Sequence, residues 1–147
     1  MNIIAPVSSI MTKKLITVNP KDSLIEVKAK FDEHNIHHLP VVRGSEILGI
    51  LSSTDFNHFL HGFGHNKGDE LTENLRMRSW KVEEIMTDKL AKLESTDPIR
   101  TALEVFKTNR IHALPIVDNG ELVGIVTTYD IISLLAMEPT TLDDYSK

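Results

Sequence analysis

The 147-residue sequence contains no cysteine. This absence excludes disulfides, thiolate metal sites and a cysteine nucleophile, and it agrees with a reducing compartment. Long hydrophobic runs are also absent, since no uninterrupted apolar stretch approaches roughly 18 residues and no basic segment precedes an apolar one at the N-terminus. We therefore expect neither a signal peptide nor a membrane span, and we expect a cytoplasmic protein.

Basic residues are in the minority, with 16 Lys and Arg against 21 Asp and Glu, and the net charge is −5. Acidic residues are in excess in both halves of the chain, so no basic lobe exists to contact a phosphate backbone. Nucleic acid is therefore not an expected partner. The hydrophobic content of 41% is sufficient for a buried core in a chain of this length.

What the sequence does contain is an internal repeat with an offset of 75 residues. Between Ile10 and Asp55, 16 of 46 positions are identical to their counterparts without a gap. Most of these positions are apolar or turn residues, as a duplicated core requires. The pairs His37/His112 and Asp55/Asp130 are polar, and they are therefore candidates for function.

Each copy begins with a predicted strand and a predicted helix. The segments "LITV" and "LAKL" favour short strands. Asp22 and Asp97 are predicted N-caps, and Pro98 is predicted at the first helical position, where its missing N–H is tolerated. Apolar residues at helical spacing follow in both copies and predict an amphipathic helix.

Each copy continues with a predicted hairpin and a second helix. Gly44-Ser45 and Asn119-Gly120 separate pairs of apolar segments and favour two-residue hairpin turns. The second helices are predicted to begin near Thr54 and Tyr129. Each copy is thus β-α-β-β-α, and the fold class is α+β.

One such unit of about 55 residues leaves an apolar sheet face uncovered, so the two repeats are expected to pack with pseudo-twofold symmetry. The predicted boundaries are 7–61 for the first repeat, 62–81 for a linker, 82–137 for the second repeat and 138–147 for a tail. Within the linker, "HGFGHNKGDE" favours a loop, and the segment after it favours a helix.

The paired "IMT" and "IHxLP" segments, the hairpins, and the endings "GILSSTD" and "GIVTTYD" resemble a tandem pair of CBS domains, or Bateman module, over about residues 7–136. The ordered combination in both copies is specific, whereas each motif alone is not. The resemblance implies a regulatory module that binds adenosine-containing ligands in two related clefts between the repeats.

The polar endings of the repeats have chemistry that agrees with this resemblance. A carboxylate in the first turn of a helix can accept hydrogen bonds from both hydroxyls of a ribose. A preceding Ser or Thr can donate a hydrogen bond to a phosphate near the helix N-terminus. Ser52 with Asp55 and Thr127 with Asp130 have this spacing. The alternative interpretation is helix capping, which is the usual role of such residues.

His37 and His112 lie three residues before a proline, where members of the family commonly place a basic residue that reaches phosphate. Because imidazole charge changes near neutral pH, affinity for an anionic ligand is expected to rise on acidification. The alternative is a half-buried structural histidine whose hydrogen bonds go to the backbone.

The arginine often found next in the family is replaced by His38 and Ala113. This replacement disfavours tight polyphosphate binding unless Arg110 or Lys92 compensates for the missing charge.

The resemblance implies that each cleft combines residues of both repeats. One cleft would contain Thr17, Ile36, His37, His112, Ile125, Thr127 and Asp130. The other would contain Lys92, Ile111, His112, His37, Ile50, Ser52 and Asp55. Because "TVNP" in the first copy matches the family pattern "TVxP" and "KLES" in the second does not, the first cleft is preferred. Asp130→Ala is therefore expected to weaken binding more than Asp55→Ala.

Neither metal binding nor catalysis is expected. His58, His61 and His65 have helical spacing, with Asp69 and Glu70 nearby, but glycines interrupt the segment and no fixed fourth ligand is evident. The sequence contains no phosphate-cradling glycine loop, no G-x-S-x-G motif and no recognisable triad. We therefore assign no catalytic residue, no catalytic cofactor and no metal.

The function predicted from the sequence is a ligand-sensing module for an adenine nucleotide such as AMP, ADP or ATP. It would act on a regulated enzyme or transporter, or through its own homodimer. The alternatives are a protein-interaction scaffold that binds no nucleotide and an S-adenosylmethionine sensor. The predicted dimer face lies on the helices after the two repeated aspartates and comprises Phe56, Phe59, Leu60, Ile131, Ile132, Leu134 and Leu135.

Overall fold

The computed structural model describes residues 1–61 and 70–139, and its two halves follow the internal repeat. Each half contains a helix, an antiparallel hairpin and a second helix, which confirms the predicted α+β class. After a short 3-10 turn at Val7–Ser9, the elements are α1 Leu24–His34, β1 His38–Arg43, β2 Glu46–Ser52, α2 Ser53–His61, α3 Glu70–Ser79, α4 Val82–Ile85, α5 Ile99–Asn109, β3 Ala113–Asp118, β4 Glu121–Thr127 and α6 Thr128–Met137. Among the helices in the two described ranges, none is both long and apolar enough to cross a membrane.

The first helix of each half begins one residue later than the sequence predicts. Ser23 is the N-cap of α1 and forms a capping box with the third residue of the helix. Pro98, expected as the first helical residue, is the N-cap of α5. The expected caps are wrong because the Asp22 carboxylate accepts the N–H of Asn19 at 2.8 Å, and Asp97 makes the equivalent bond in the turn before α5.

Both predicted hairpins are confirmed. β1 pairs with β2 and β3 pairs with β4, and each hairpin has a bulge after the fourth residue of its first strand. Gly44 has a φ of 62°, while Asn119 and Gly120 have φ values of 51° and 80°. These are left-handed conformations that glycine and asparagine adopt most readily, so the turn residues account for the two hairpins.

The predicted first strand of each repeat is reduced to a one-residue bridge. Val18 pairs in parallel with Val41, and Leu93 pairs in parallel with Ile116. A longer strand does not form because the chain enters a turn at Asn19, directly after the first of these bridges.

The N-terminal segment of each repeat pairs with the hairpin of the other repeat. Thr12 exchanges backbone hydrogen bonds of 2.9 and 3.0 Å with Ile125 in β4, and Thr87 exchanges two bonds of 2.9 Å with Ile50 in β2. Ile50 and Ile125 also belong to a buried apolar cluster between the hairpins. The repeats are therefore interlocked with pseudo-twofold symmetry, as predicted.

Helix α3, which falls in the predicted linker, breaks this symmetry. Its Met77 is buried in the core of the first repeat together with Phe31 of α1 and with Phe56 and Leu60 of α2. The loop predicted within the linker falls on residues 62–69, outside the described ranges. No helix in the described part of the chain covers the second repeat in the same way.

The predicted dimer face is therefore wrong in part. Phe56 and Leu60 are buried within the chain because α3 covers them, and Ile131 is buried in the core of the second repeat. In contrast, Ile132 and Leu135 of α6 are 61% and 51% exposed. Only the α6 part of the predicted face is open to a partner.

A glycine in each hairpin lies beneath the methionine of an "IMT" motif. A Cβ atom added at Gly49 would lie 2.6 Å from Sδ of Met86 and 2.8 Å from the carbonyl oxygen of Thr87. The methionine side chain can move, but the Thr87 carbonyl is bonded to the N–H of Ile50. The equivalent Cβ at Gly124 would lie 3.2 Å from the nearest backbone oxygen.

Gly49→Ala is therefore expected to lower the free energy of unfolding by about 1 kcal/mol, because the pairing between the repeats must shift to admit the methyl group. Gly124→Ala is the matched control and should cost less, since mainly a flexible methionine side chain must move. Urea denaturation of both variants measures the difference. An equal loss, or a larger loss at Gly124, would contradict this explanation.

Candidate functional site

A cavity of about 770 Å³ opens between the two repeats, where the start of α2 meets the segments that lead into the second repeat and into β3. Both repeats contribute to its wall. The lining residues are His37, His38, Ile50, Ser52, Ser53, Thr54, Asp55, Thr87, Lys89, Leu90, Ala91, Asn109, Arg110, Ile111, His112 and Ala113. We call this cavity the Asp55 cleft.

One part of the Asp55 cleft is apolar and is contributed by both repeats. It comprises Ile50, Leu90, Ala91, Ile111 and Ala113. Ile50 and Ala113 belong to the buried cluster between the hairpins, so this part of the wall is fixed by the packing of the two repeats. A flat apolar group such as a nucleobase fits a wall of this composition.

The first turn of α2 forms a polar part of the wall. The hydroxyl of Ser52 accepts the N–H of Asp55 at 3.0 Å, which caps the helix, and the N–H of Ser53 donates to the carbonyl oxygen of His37 at 2.9 Å. Within the described ranges, the exposed Asp55 carboxylate makes no hydrogen bond. Asp55 can therefore accept hydrogen bonds from the hydroxyl groups of a ligand.

Three histidines line the same cleft. Nδ1 of His37 lies 3.3 Å from the hydroxyl oxygen of Ser53. The pKa of His38 is lowered from its ordinary value, mainly because the side chain is partly buried. Positive charge on His112 and His37 lowers this pKa further. The Asp55 carboxylate acts on the pKa of His38 in the opposite direction. The pKa of His38 thus responds to burial and to the charges of the side chains around it.

Lys89 and Arg110 add two permanent positive charges to the cleft. Arg110 follows the last residue of α5 with a φ of 53°, and its N–H donates to the carbonyl oxygen of Phe106 at 3.0 Å. This left-handed turn ends the helix beside the cleft. Among the described lining residues, Asp55 is the only acid, so the wall favours an anionic ligand.

The structure brings together seven of the ligand-binding residues predicted from the sequence: His37, His38, Ile50, Ser52, Asp55, Ile111 and His112. The predicted Lys92 is exposed and lies outside this wall, whereas Lys89 lines it. Arg110, considered as a substitute for the family's arginine, lies in the wall.

The remaining predicted ligand-binding residues, which the sequence assigned to the other cleft, do not line the Asp55 cleft: Thr17, Ile36, Ile125, Thr127 and Asp130. Oδ2 of Asp130 accepts the N–H of Thr127 at 2.7 Å and the hydroxyl of Thr127 at 2.8 Å. The carbonyl oxygen of Thr17 accepts a hydrogen bond from the Lys30 ammonium. One oxygen of the Asp130 carboxylate is therefore already engaged by its own helix.

Thr87, Lys89 and Asn109 were not predicted as site residues. One signal was available for Thr87 and Lys89, because they are identical to Thr12 and Lys14 in the repeat alignment. Asn109 carries no such signal, since its counterpart in the first repeat is His34. Thr87 and Asn109 reach the cleft through the pairing of Thr87 with β2 and through the position at which α5 ends.

The histidines weighed as metal ligands are separated by their contacts. Nδ1 of His61 lies 2.9 Å from a carboxylate oxygen of Glu73, and His58 lines a different cavity. His65 and Asp69 lie outside the described residues. Within the ranges that the structure describes, no group of three or more suitable side chains could hold a metal ion.

Comparison with known proteins gives matches over most of the chain. The family model of the CBS domain matches residues 7–62 and 82–137. An uncharacterized conserved protein from Pyrococcus horikoshii is 25% identical, with a TM-score of 0.77 over 96% of this chain and 99% of that chain. The CBS domain pair of protein MJ0100, solved with 5'-methylthioadenosine and S-adenosyl-L-methionine, is 29% identical, with a TM-score of 0.72 over 90% of this chain and 97% of that chain.

A curated relative is the gamma-3 subunit of human 5'-AMP-activated protein kinase, which is 32% identical over 136 residues. That match covers 86% of this chain and 26% of the kinase subunit. The chain spans about a quarter to a half of the length of the first curated relatives that it matches.

Proposed function

Because the chain belongs to the CBS domain family, with two copies of the domain, we propose that it is a regulatory module that binds an adenine nucleotide in the Asp55 cleft. One observation carries this proposal. Among the described residues, five basic side chains and one carboxylate, which makes no hydrogen bond to any of them, line a cavity to which both repeats contribute. This arrangement suits a ligand with an anionic end and a ribose.

Each part of such a ligand has a matching part of the wall. The apolar residues take the adenine ring, and the Asp55 carboxylate accepts the ribose hydroxyls. The phosphate lies near the first turn of α2, where the helix dipole favours an anion. Arg110, which the sequence analysis named as a compensating charge, and Lys89, which it did not name, both line the cleft and support binding of ADP and ATP as well as AMP.

The output of binding follows from the position of the cleft between the repeats. A ligand that contacts both repeats stabilises the arrangement in which both contacts are made, and it shifts the population toward that arrangement. The regulated partner would be an enzyme, a transporter or a second copy of the chain. The names of two relatives agree with a sensor of adenosine compounds, since one is an AMP-activated kinase subunit and the other was solved with S-adenosyl-L-methionine.

Calorimetric titration with AMP, ADP, ATP, adenosine and S-adenosylmethionine tests the proposal. We expect the phosphate-bearing ligands to bind more tightly than adenosine, because only they use the positive charge of the cleft. Tighter binding of S-adenosylmethionine than of any nucleotide would favour the second candidate function, a sensor of that compound. Absence of binding by all five would favour a protein-interaction scaffold.

We also propose that the chain forms a homodimer through the outer face of α6, where Tyr129, Ile132, Leu135 and Met137 are exposed. A twofold-related copy would bury this face in a closed assembly. Light scattering at micromolar concentration is expected to give twice the chain mass, and Ile132→Asp is expected to give a monomer. Leu71→Asp, which changes an equally exposed leucine on α3, is the control and should leave the dimer intact. A monomeric mass for the unmodified protein would refute the dimer.

A further inference from the structure

A second cavity, of about 580 Å³, adjoins the Asp55 cleft and shares Asp55 and Thr87 with it. Its other lining residues are His58, Phe59, Trp80, Glu84 and Ile85. All seven residues come from α2, α4 or the segments beside α4. We call this cavity the aromatic cavity.

Two aromatic rings in contact form one side of the aromatic cavity. The ring centroids of Phe59 and Trp80 are 5.1 Å apart with an interplanar angle of 68°, which is an edge-to-face arrangement. Trp80 is 40% exposed, and its backbone N–H donates to the carbonyl oxygen of Arg76 at 3.0 Å, which holds the residue at the end of α3. The faces of such rings attract cations, and the attraction is strongest for indole.

Two carboxylates line the same cavity. One oxygen of Glu84 accepts the N–H of Lys81 at 2.8 Å in the capping box of α4, and the other oxygen makes no hydrogen bond to any described residue. The Asp55 carboxylate is likewise unengaged within the described ranges. No lysine or arginine is among the described lining residues, and His58 is the only titratable base. The charge of the aromatic cavity is thus opposite to that of the Asp55 cleft.

We propose that the aromatic cavity binds a small organic cation, an alkylammonium or quaternary ammonium group. The rings of Phe59 and Trp80 contact its apolar substituents and attract its charge, while Glu84 and Asp55 neutralise it. The rings select against inorganic cations, which keep their hydration shells, and the carboxylates select against neutral molecules of the same shape. The cation site shares Asp55 with the Asp55 cleft, but its other cation-binding residues, Phe59, Trp80 and Glu84, do not line that cleft, so the proposal does not rest on nucleotide binding.

Choline chloride is a suitable probe, with sodium chloride used to hold the ionic strength constant. Trp80 is the only tryptophan in the chain, so its fluorescence reports on this cavity directly. We expect choline to change the fluorescence in a saturable way. The choline concentration that gives half of the maximal change should be at least about fivefold lower than that of 3,3-dimethyl-1-butanol, the neutral molecule of the same shape. Equal response to the two molecules, or no saturable response to choline, would overturn the proposal.

Glu84→Gln provides the test at the level of a residue. Glutamine keeps the acceptor of the capping box, so α4 is preserved while the charge is lost. We expect this variant to bind choline about fivefold more weakly. Glu83→Gln is the matched control because Glu83 lies on the same helix, pairs with Lys21 and does not line the cavity. If both variants bind choline like the unmodified protein, or weaken it equally, Glu84 is not a ligand and the proposal fails.

Glu84→Gln also distinguishes the cation site from the nucleotide site. Because Glu84 does not line the Asp55 cleft, Glu84→Gln is expected to leave the affinity for AMP unchanged. Choline binding in a protein that does not bind AMP would support the cation site and refute the nucleotide proposal. AMP binding without choline binding would do the reverse.

Discussion

Asp55→Ala is expected to weaken AMP binding about 10- to 100-fold, whereas Asp130→Ala is expected to retain most of the affinity. The loss at Asp55 corresponds to about 1.5–3 kcal/mol, the cost of removing charge-assisted hydrogen bonds to the ribose. Calorimetric titration of both variants measures the difference.

The expected asymmetry arises from how the two repeated aspartates are bonded. Asp130 is held by the N–H and the hydroxyl of Thr127, so one of its oxygens is committed to capping α6. Asp55 is exposed at the edge of a cavity lined by Lys89 and Arg110. The sequence favoured the other predicted cleft, which would contain Asp130, because its "TVNP" segment matches the family pattern. The geometry and charge support the Asp55 cleft instead.

The stability of each variant serves as the control. Asp130→Ala removes a cap and is expected to lower the free energy of unfolding by about 1 kcal/mol. Because this variant should still bind AMP, it shows that a loss of stability does not by itself cause a loss of affinity. A larger loss of affinity at Asp130 than at Asp55 would restore the preference drawn from the sequence. Unchanged affinity in both variants would refute the ribose role of the repeated aspartates.

The affinity for AMP is expected to rise as the pH falls from about 7.5 to 6, while the affinity for adenosine changes little. Burial, and then the charges of His112 and His37, hold the pKa of His38 below 6.5, so His38 is neutral in the free protein at pH 7.5. A bound phosphate anion raises the pKa of His38, and binding therefore takes up a proton. Each proton taken up increases the affinity by up to about tenfold per pH unit.

The stability of the ligand-free protein should change with pH in the opposite direction. Because the pKa of His38 is lower in the folded protein than in the unfolded chain, the unfolded chain binds more protons between these two pKa values. The stabilising contribution is complete above about pH 6.5 and is lost as the pH falls toward the folded pKa. Bound AMP offsets this loss. Melting temperatures with and without AMP should therefore diverge on acidification.

His38→Gln tests the origin of the pH dependence, and His34→Gln is the matched control. His34 is exposed at the end of α1 and does not line the Asp55 cleft. The phosphate of AMP itself gains a proton near pH 6, so the informative quantity is the difference between protein variants at each pH. His38→Gln should flatten the rise in affinity, and His34→Gln should not. A slope that is the same in both variants would mean that His38 does not respond to the ligand.

The sequence by itself determined the elements and their duplication. Apolar residues at helical spacing, and apolar segments separated by Gly44-Ser45 and Asn119-Gly120, specify helices and hairpins because these depend on residues close together in the chain. The identity of His37 with His112 and of Asp55 with Asp130 was sufficient to find two of the three histidines and the acid that line the Asp55 cleft. These features recur in both copies, so each copy supported the other.

The tertiary structure alone decided which apolar faces are covered and which side chains complete the wall of the Asp55 cleft. Lys89 and Arg110 line the same cavity as Asp55 only because segments of different repeats meet, and the pairing of Thr87 with Ile50 joins these segments. Helix α3 covers α2 and leaves α6 exposed, although both helices end equivalent repeats. A local pattern cannot specify such contacts, because they depend on how residues far apart in the sequence pack and bond with one another.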